Sequence, residues 1–521
     1  MPLCVVKAAW IDAMYPEMIG AVPGAGTCLE SRSRRCAGRQ EESRMIASND
    51  DERDLARRPA RSQLVTGAIG WLAAFAASAQ MLAVDLVDSP AHGVALNARG
   101  DVVGSFSSWP CGDPHACVPE TRTVVWRAEG RLALPGLGSL KPAPAAIAED
   151  GTVVGSVTDF ATTSRAVVWR LVSGAYEITD LGLLPGATSA AAVGVDSTGR
   201  VIGYASAPSV VRPFYWTAST GLVDLASQGF PAEPVLGVSD GGVVATAAHT
   251  YQIDNVASVR AIAPPPAGYR GPGGYAMRVN NLGDVATFLA TTTSEPIFYL
   301  QRYRAADARW QLLSGSPNGN LSRWYTGSID DGGTVTATVT STGVVADGPA
   351  GVAVDLSTRL SPGYGGAAVS EAGPHVGAAG TLATVMIGRS PRLARLVAVQ
   401  PCTGYCLRVA SLEMKGVFVE DPRAPGSCTP AAANKVTATL SITDADGNPA
   451  NGAKVSARFL DDYALNAPVS AKTNRRGKAV LRFRGPACVG AVALLVESVS
   501  RSGADFDRSV GRLTNYVIPL P

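Results

Sequence analysis

The chain offers few residues in patterns that do chemistry. Its only histidines are His92, His115, His249 and His375. None shares a motif with a serine and an aspartate, and none stands at a metal-ligand spacing. There is no Gly-x-Ser-x-Gly elbow, no phosphate-cradling loop and no nucleotide fingerprint between a strand and a helix. Each histidine therefore reads as an ordinary loop or strand residue, and we expect no catalytic, cofactor-binding or metal-ligating residue. Asp444, Asp446 and Asn448 open like a calcium loop. Such a loop needs Gly at its sixth position and Glu at its twelfth, where this chain has Pro449 and Val455. The segment Asp444–Pro449 is read as a turn, because Asp, Gly, Asn and Pro each favour one.

Six cysteines follow residue 79: Cys111, Cys117, Cys402, Cys406, Cys428 and Cys488. An even number in an exported chain points to disulfides. Proximity pairs Cys111 with Cys117, Cys402 with Cys406 and Cys428 with Cys488, although the sequence leaves the connectivity open. Zinc is disfavoured, since the spacings lack accompanying histidines. Export itself is read from residues 62–79. Arg57, Arg58 and Arg61 precede the apolar run Leu64–Ala77, and Ala77-Ser78-Ala79 makes a small-x-small exit. This is the layout of a signal peptide cleaved after Ala79, with an uncleaved anchor as the alternative. Arg57-Arg58 is a weak twin-arginine signal. Residues 1–61 carry charged runs without apolar periodicity, and we expect a disordered extension there or, with Met45 as the start, an over-extended reading frame.

Stepping from residues to elements, one phrase keeps returning. Gly100-Asp101-Val102-Val103-Gly104 recurs as Gly151-Thr152-Val153-Val154-Gly155, Gly199-Arg200-Val201-Ile202-Gly203 and Gly241-Gly242-Val243-Val244-Ala245, with weaker echoes from Gly283, Gly333 and Gly373. Steps of roughly 40 to 50 residues are those of a propeller blade or solenoid unit. Within one unit, Ala190–Asp196, Val201–Tyr204, Arg212–Trp216 and Leu222–Leu225 read as four strands joined by turns. A second phrase, Arg-x-Val-Val-Trp, ends at Trp126 and Trp169, with Arg212–Trp216 as its third copy. The indole is expected to fill the gap between neighbouring sheets. Asp85, Asp180, Asp224 and Asp355 share a fourth-strand phrase. They are read as caps on backbone amides rather than as a carboxylate ring. Arg122, Arg165 and Arg212 are read as solubilising charge rather than as a ligand-facing ladder.

These phrases, with Thr179-Asp180-Leu181-Gly182, resemble the HAF repeat of bacterial extracellular repeat proteins over residues 83–400. The resemblance implies an exported repeat protein and brings no catalytic residues with it. The namesake step reads Arg165-Ala166-Val167 here.

The expected fold class is all-β: a β-propeller of about seven four-stranded blades over residues 80–405, with six or eight blades left open and an open β-solenoid as the rival. Val84-Asp85-Leu86 precedes the first complete unit, so it is expected to complete the last blade, built otherwise from residues 367–400. From residue 406 the pattern changes. Val436–Ile442, Lys454–Phe459 and Lys478–Phe483 alternate like strands with one buried face. Residues 406–521 are expected to form an immunoglobulin-like β-sandwich, and their turn phrases resemble bacterial Ig-like domains of surface proteins.

Composition bounds the function. The 521 residues carry a net charge of +2, and 17% are charged. No global field draws nucleic acid or an anionic membrane. The expected product is exported, whether periplasmic, surface-held or secreted. It acts as a non-enzymatic binding, adhesion or envelope module whose partner is an extracellular glycan or a surface protein. A propeller-type hydrolase or lyase acting on extracellular polysaccharide is the alternative. Mass spectrometry of the exported protein should give a new N-terminus at or near Gln80. An intact Leu64–Ala77 segment would establish the anchor instead.

Overall fold

The computed structural model describes residues 80–108, 120–159, 163–270, 277–294, 297–315, 325–348, 351–399, 401–419, 433–461, 465–486 and 490–519. The readings of residues 1–79, of Cys111–Cys117, of His115 and of Cys428–Cys488 fall outside them. Among the described residues every regular element is a strand or a short 3-10 turn. The strands form nine small sheets.

Six of these sheets are each built from a continuous stretch of chain, five as four-stranded meanders and the fifth with its two short leading strands both paired to Val285–Thr291. The first takes Ala91–Leu96, Val102–Ser108, Glu120–Arg127 and Gly130–Ala133, the second Lys141–Ile147, Val153–Thr158, Ser164–Val172 and Ala175–Asp180. The third takes Ser189–Val195, Val201–Ala207, Val210–Thr217 and Gly221–Asp224, within three residues of the bounds expected from sequence. The fourth runs from Gly237 to Ala261, the fifth from Tyr269 to Gly315 and the sixth from Tyr325 to Asp355. The seventh sheet is different. Its strands Ala368–Val376, Gly380–Ile387 and Ser390–Ala398 are completed by Leu82–Asp88, the opening strand of the described chain. That strand lies antiparallel to the last, with Leu82 opposite Ala398 and Val84 opposite Leu396. The leading strands also touch in order from the first sheet to the seventh, and the seventh touches the first, so the sequence of contacts returns to its start.

The repeated phrase has a physical cause at both of its glycines. The first sits where the chain turns between the leading two strands of a sheet. Gly100, Gly151, Gly199, Gly242, Gly283 and Gly333 all have φ between 79° and 88°, a region costly for residues with a Cβ. The second glycine faces a bulge in the leading strand. A Cβ on Gly104, Gly155 or Gly203 would lie 2.0, 2.3 or 2.1 Å from the carbonyl oxygen of His92, Ala143 or Ala191.

Two phrases sit differently from their letters. In the fourth sheet the left-handed turn residue is Gly242, so the structural copy starts one residue later than the matching letters at Gly241. Gly373 is no turn residue: it lies inside the strand Ala368–Val376, and the seventh sheet turns through Gly377–Ala379 instead.

Between sheets, the tryptophans pack as expected. Trp169 is fully buried among Val103, Val125 and Val153, which bridges the first and second sheets. Its indole N–H donates to Pro135 O at 2.8 Å. Trp126 does the same between the first and seventh sheets, against Leu382 and Leu393, and donates to Asp88. Rings of this size bury roughly 150–250 Å² each. Arg302, with no exposed surface, ties the fifth sheet to the sixth by donating to the carbonyls of Gly333 and Gly348.

Three of the four aspartates cap as expected; Asp85 departs, its carboxylate taken by Arg508. Asp180 accepts the N–H of Gly182, Asp224 that of Ala226 and Asp355 that of Ser357, at 2.7–3.0 Å. The arginine series departs from its reading as solubilising charge. Arg165 pairs with Asp180 at 2.8 Å and Arg212 with Asp224 at 2.9 Å, so each arginine neutralises the capping carboxylate of its own sheet. Arg122 pairs instead with exposed Glu120.

The remaining two sheets belong to the C-terminal part. One is ordered Lys478–Pro486, Ala433–Thr443, Cys406–Val419, Asp505–Phe506, and the other Leu465–Lys472, Lys454–Asp461, Val492–Ser500, Thr514–Val517. They share a core in which Phe459 and Phe483 stack with centroids 5.2 Å apart. The same core takes in Val84, Ala394 and Leu396 of the seventh sheet. Cys402 and Cys406 form the expected disulfide just before this part begins. Arg508 reaches back to the opening strand and donates to Val84 O, Asp85 Oδ1 and the Tyr364 hydroxyl at 2.7–3.0 Å.

Gly203→Ala is expected to destabilise the protein by about 1–3 kcal/mol, because its Cβ displaces the bulged backbone at Ala191. Chemical denaturation reads the loss. An unchanged midpoint would show that the bulge yields freely.

Candidate binding surface

The turns after the leading strands build one end of the seven-sheet part. In each of the first six, the glycine N–H donates to the carbonyl three residues back at 2.9–3.1 Å. A short polar side chain at the turn's first position satisfies the next free amide. Asn97 Oδ1 accepts from Asp101, Asp196 Oδ1 from Arg200, Ser239 Oγ from Val243, Asn280 Oδ1 from Asp284 and Asp330 Oδ1 from Thr334. This is the local hydrogen bonding that Asn, Asp and Ser bring to turns.

Amides in the middle of four of these turns hand on to the next sheet, from the second position in the first, third and fifth sheets and from the third position in the fourth. Ala98 N donates to Glu149 Oε1, Ser197 N to Asp240 O, Gly241 N to Asn281 Oδ1, and Asn281 N to Asp331 Oδ1, at 2.7–2.8 Å. The second, fourth and sixth sheets thereby present Glu149, Asp240 and Asp331 at this end. The crowding of protein around the Asp240 carboxyl raises its pKa, and the charges of Glu149 and Asp331 add to the rise. Water still reaches the side chain, which is exposed.

Beside Asp331 runs a groove of about 720 Å³ between the fourth, fifth and sixth sheets, a size that suits a ligand. Leu282, 64% exposed, and Tyr303 supply apolar surface, with Arg260, Arg304, Asp284 and Asp331 around them. Both groove carboxylates already accept hydrogen bonds. Asp284 takes the Ala305 N–H at 2.8 Å and Asp331 takes both nitrogens of Asn281.

The described histidines do not line this groove. His92 is an exposed strand residue. His375 donates to or accepts from Thr381 Oγ1 at 2.9 Å, and burial lowers its pKa, which keeps the ring neutral. His249 is the one that sequence reasoning missed. Its Nδ1 meets Glu233 Oε1 at 3.0 Å, and the other Glu233 oxygen accepts from the Thr246 hydroxyl. Glu233 precedes the strand by sixteen residues in an irregular loop, so no spacing rule announces the pair. The hydroxyl bonds the carboxylate instead of the imidazole, which is not the order of a nucleophile and its base. The Asp444 turn is confirmed by use: Asp444 Oδ1 accepts from Asp446 N and Asn448 N. These bonds hold its pKa low, the one from Asn448 most of all.

Asp240→Asn is expected to flatten the acid side of the stability–pH curve. With its pKa raised in the folded state, Asp240 favours folding below its unfolded pKa and loses that contribution as pH rises through the folded pKa. The asparagine variant should therefore be the more stable above that range. NMR titration of the Asp240 carboxyl checks the same point, and a value in the ordinary aspartate range would remove the proposed crowding. Comparison with protein-family models and with curated proteins finds no match for this chain.

Proposed function

We propose that the seven sheets, six of four strands and one of five, form a β-propeller, that the C-terminal pair is an immunoglobulin-like sandwich, and that the exported protein binds an extracellular glycan or surface protein without turning it over. The observation that carries the binding reading is the groove beside Asp331. It is large enough for a ligand, mixes apolar surface with both signs of charge, and holds its two carboxylates in structural hydrogen bonds. A general acid or base needs a carboxyl free to exchange its proton with the substrate; both oxygens of Asp331 are engaged by Asn281, while Asp284 holds the Ala305 amide through Oδ1. The architecture supplies rigidity, since the lining residues come from paired strands and from the hydrogen-bonded turns at Leu282 and Asp331.

The hydrolase or lyase reading rests on a different observation, the His249–Glu233 pair. A glycan-array and hydrolysis screen of the exported protein separates the two. Specific binding without product, weakened by Leu282→Asp, supports the groove. Turnover lost in His249→Ala would overturn the binding reading and move the chemistry to that pair.

A further inference from the structure

We propose that one face of the C-terminal part is a second, independent binding surface, for a linear acidic polysaccharide bearing carboxylate or sulfate groups. The register of three adjacent strands places it. Arg484 lies opposite Lys435, which lies opposite Val417. Arg482 lies opposite Thr437 and then Lys415, and Val480 opposite Thr439 and then Glu413. Lys478 lies opposite Ser441 and then Ser411. Residues that alternate along a strand share a face, and the intervening Leu412, Val436, Ala438, Leu440 and Leu481 are all buried in the core. The outward face is therefore made of these rows.

Five cations stand on it: Lys415, Lys435, Lys478, Arg482 and Arg484, all exposed. Glu413 is its one carboxylate. Among the described residues no salt bridge engages any of the five. The chain as a whole carries only +2, so this is a local concentration of charge. Strands lie roughly 4.8 Å apart and alternate residues roughly 7 Å along them. The cations thus occupy a flat strip roughly 20 Å long, interleaved with the hydroxyls of Ser411, Thr437, Thr439 and Ser441.

Charge complementarity fixes the partner as a polyanion, and the rest of the face narrows it. Binding single-stranded nucleic acid draws on aromatic side chains for base stacking, and no aromatic residue occupies the outward rows. Stable attachment to a membrane takes an inserted apolar group or a second anchor, and the only apolar side chains here are Val417 and Val480. Hydroxyl groups among cations instead match the mixed hydroxyl and anionic groups of an acidic sugar chain. The strip uses none of the groove residues, so the two surfaces stand or fall separately.

The test uses the exported protein and two matched double variants. K435E/R484E reverses two cross-strand neighbours on the strip. K454E/K472E reverses two exposed cross-strand neighbours on the opposite sheet. Affinity is measured for heparin, polygalacturonate, neutral dextran, phosphatidylglycerol vesicles and a single-stranded oligonucleotide. The expected result is salt-sensitive binding to an acidic polysaccharide, weakened about tenfold or more by K435E/R484E and left within about twofold by K454E/K472E. The single Arg482→Gln should give a smaller loss in the same direction, and circular dichroism checks that each variant folds. Equal losses in both double variants would reduce the effect to net charge and overturn the proposal. So would tighter binding to the vesicles or the oligonucleotide than to either acidic polysaccharide, or no preference over dextran.

Discussion

The antiparallel pairing of Leu82–Asp88 with Ser390–Ala398 is the contact on which the arrangement of the first seven sheets depends. Without it, the strand Ser390–Ala398 would present a bare row of backbone donors and acceptors, which is both unsatisfied and prone to pair with other chains. The C-terminal part reinforces that contact. Arg508 holds the carbonyl of Val84 and the carboxylate of Asp85, its own carbonyl accepts from the hydroxyl of Ser361, whose N–H donates to Leu82 O from the segment before the seventh sheet, and one apolar core runs from the opening strand into both C-terminal sheets. Arg392 adds a buried tie, donating to Ser89 and to the Asp461 carbonyl. This explains why Asp85 alone of its series does not cap a turn: its carboxylate is taken by Arg508.

The same logic of satisfied polar groups runs through the turns at the candidate binding surface. Five of the six turns close on the polar side chain of their own first residue, and four donate a middle amide to the neighbouring sheet. A side chain at this end is therefore positioned by two sheets at once. Asp240 is the exception among the three carboxylates: Glu149 and Asp331 accept inter-sheet hydrogen bonds through their oxygens, whereas Asp240 contributes its backbone carbonyl and leaves its carboxylate facing the other two charges.

How much of this was legible in the sequence follows from how local each feature is. The Gly-x-Val-Val-Gly phrase could be read because both glycines answer to short-range demands, a left-handed turn and a bulged neighbour. Gly373 misled because the seventh sheet turns through three residues of 3-10 helix, so its glycine spacing differs. The tryptophans and the capping aspartates were likewise local. The pairing of Arg165 with Asp180 and of Arg212 with Asp224 was missed, although both partners had been noticed as repeats. Seeing that they meet requires knowing which strand lies beside which. The same holds for His249 with Glu233. In the C-terminal part the alternation of Lys478–Phe483 and Val436–Ile442 was plain, but a face exists only once strands are set side by side. Lys415, from a third strand, joins Arg482 only through the register.

The closing strand also sets a timetable. The chain is made from its N-terminus, so Leu82–Asp88 exists long before its partner at Ser390–Ala398, and Arg508 comes later still, 424 residues after Val84. Native contacts so remote in sequence form slowly, because the intervening chain must be gathered before they repay their entropy. The earlier sheets can form as each becomes complete, since their strands are consecutive. The seventh cannot, and the edge of Ser390–Ala398 waits for a strand made some three hundred residues earlier to return to it.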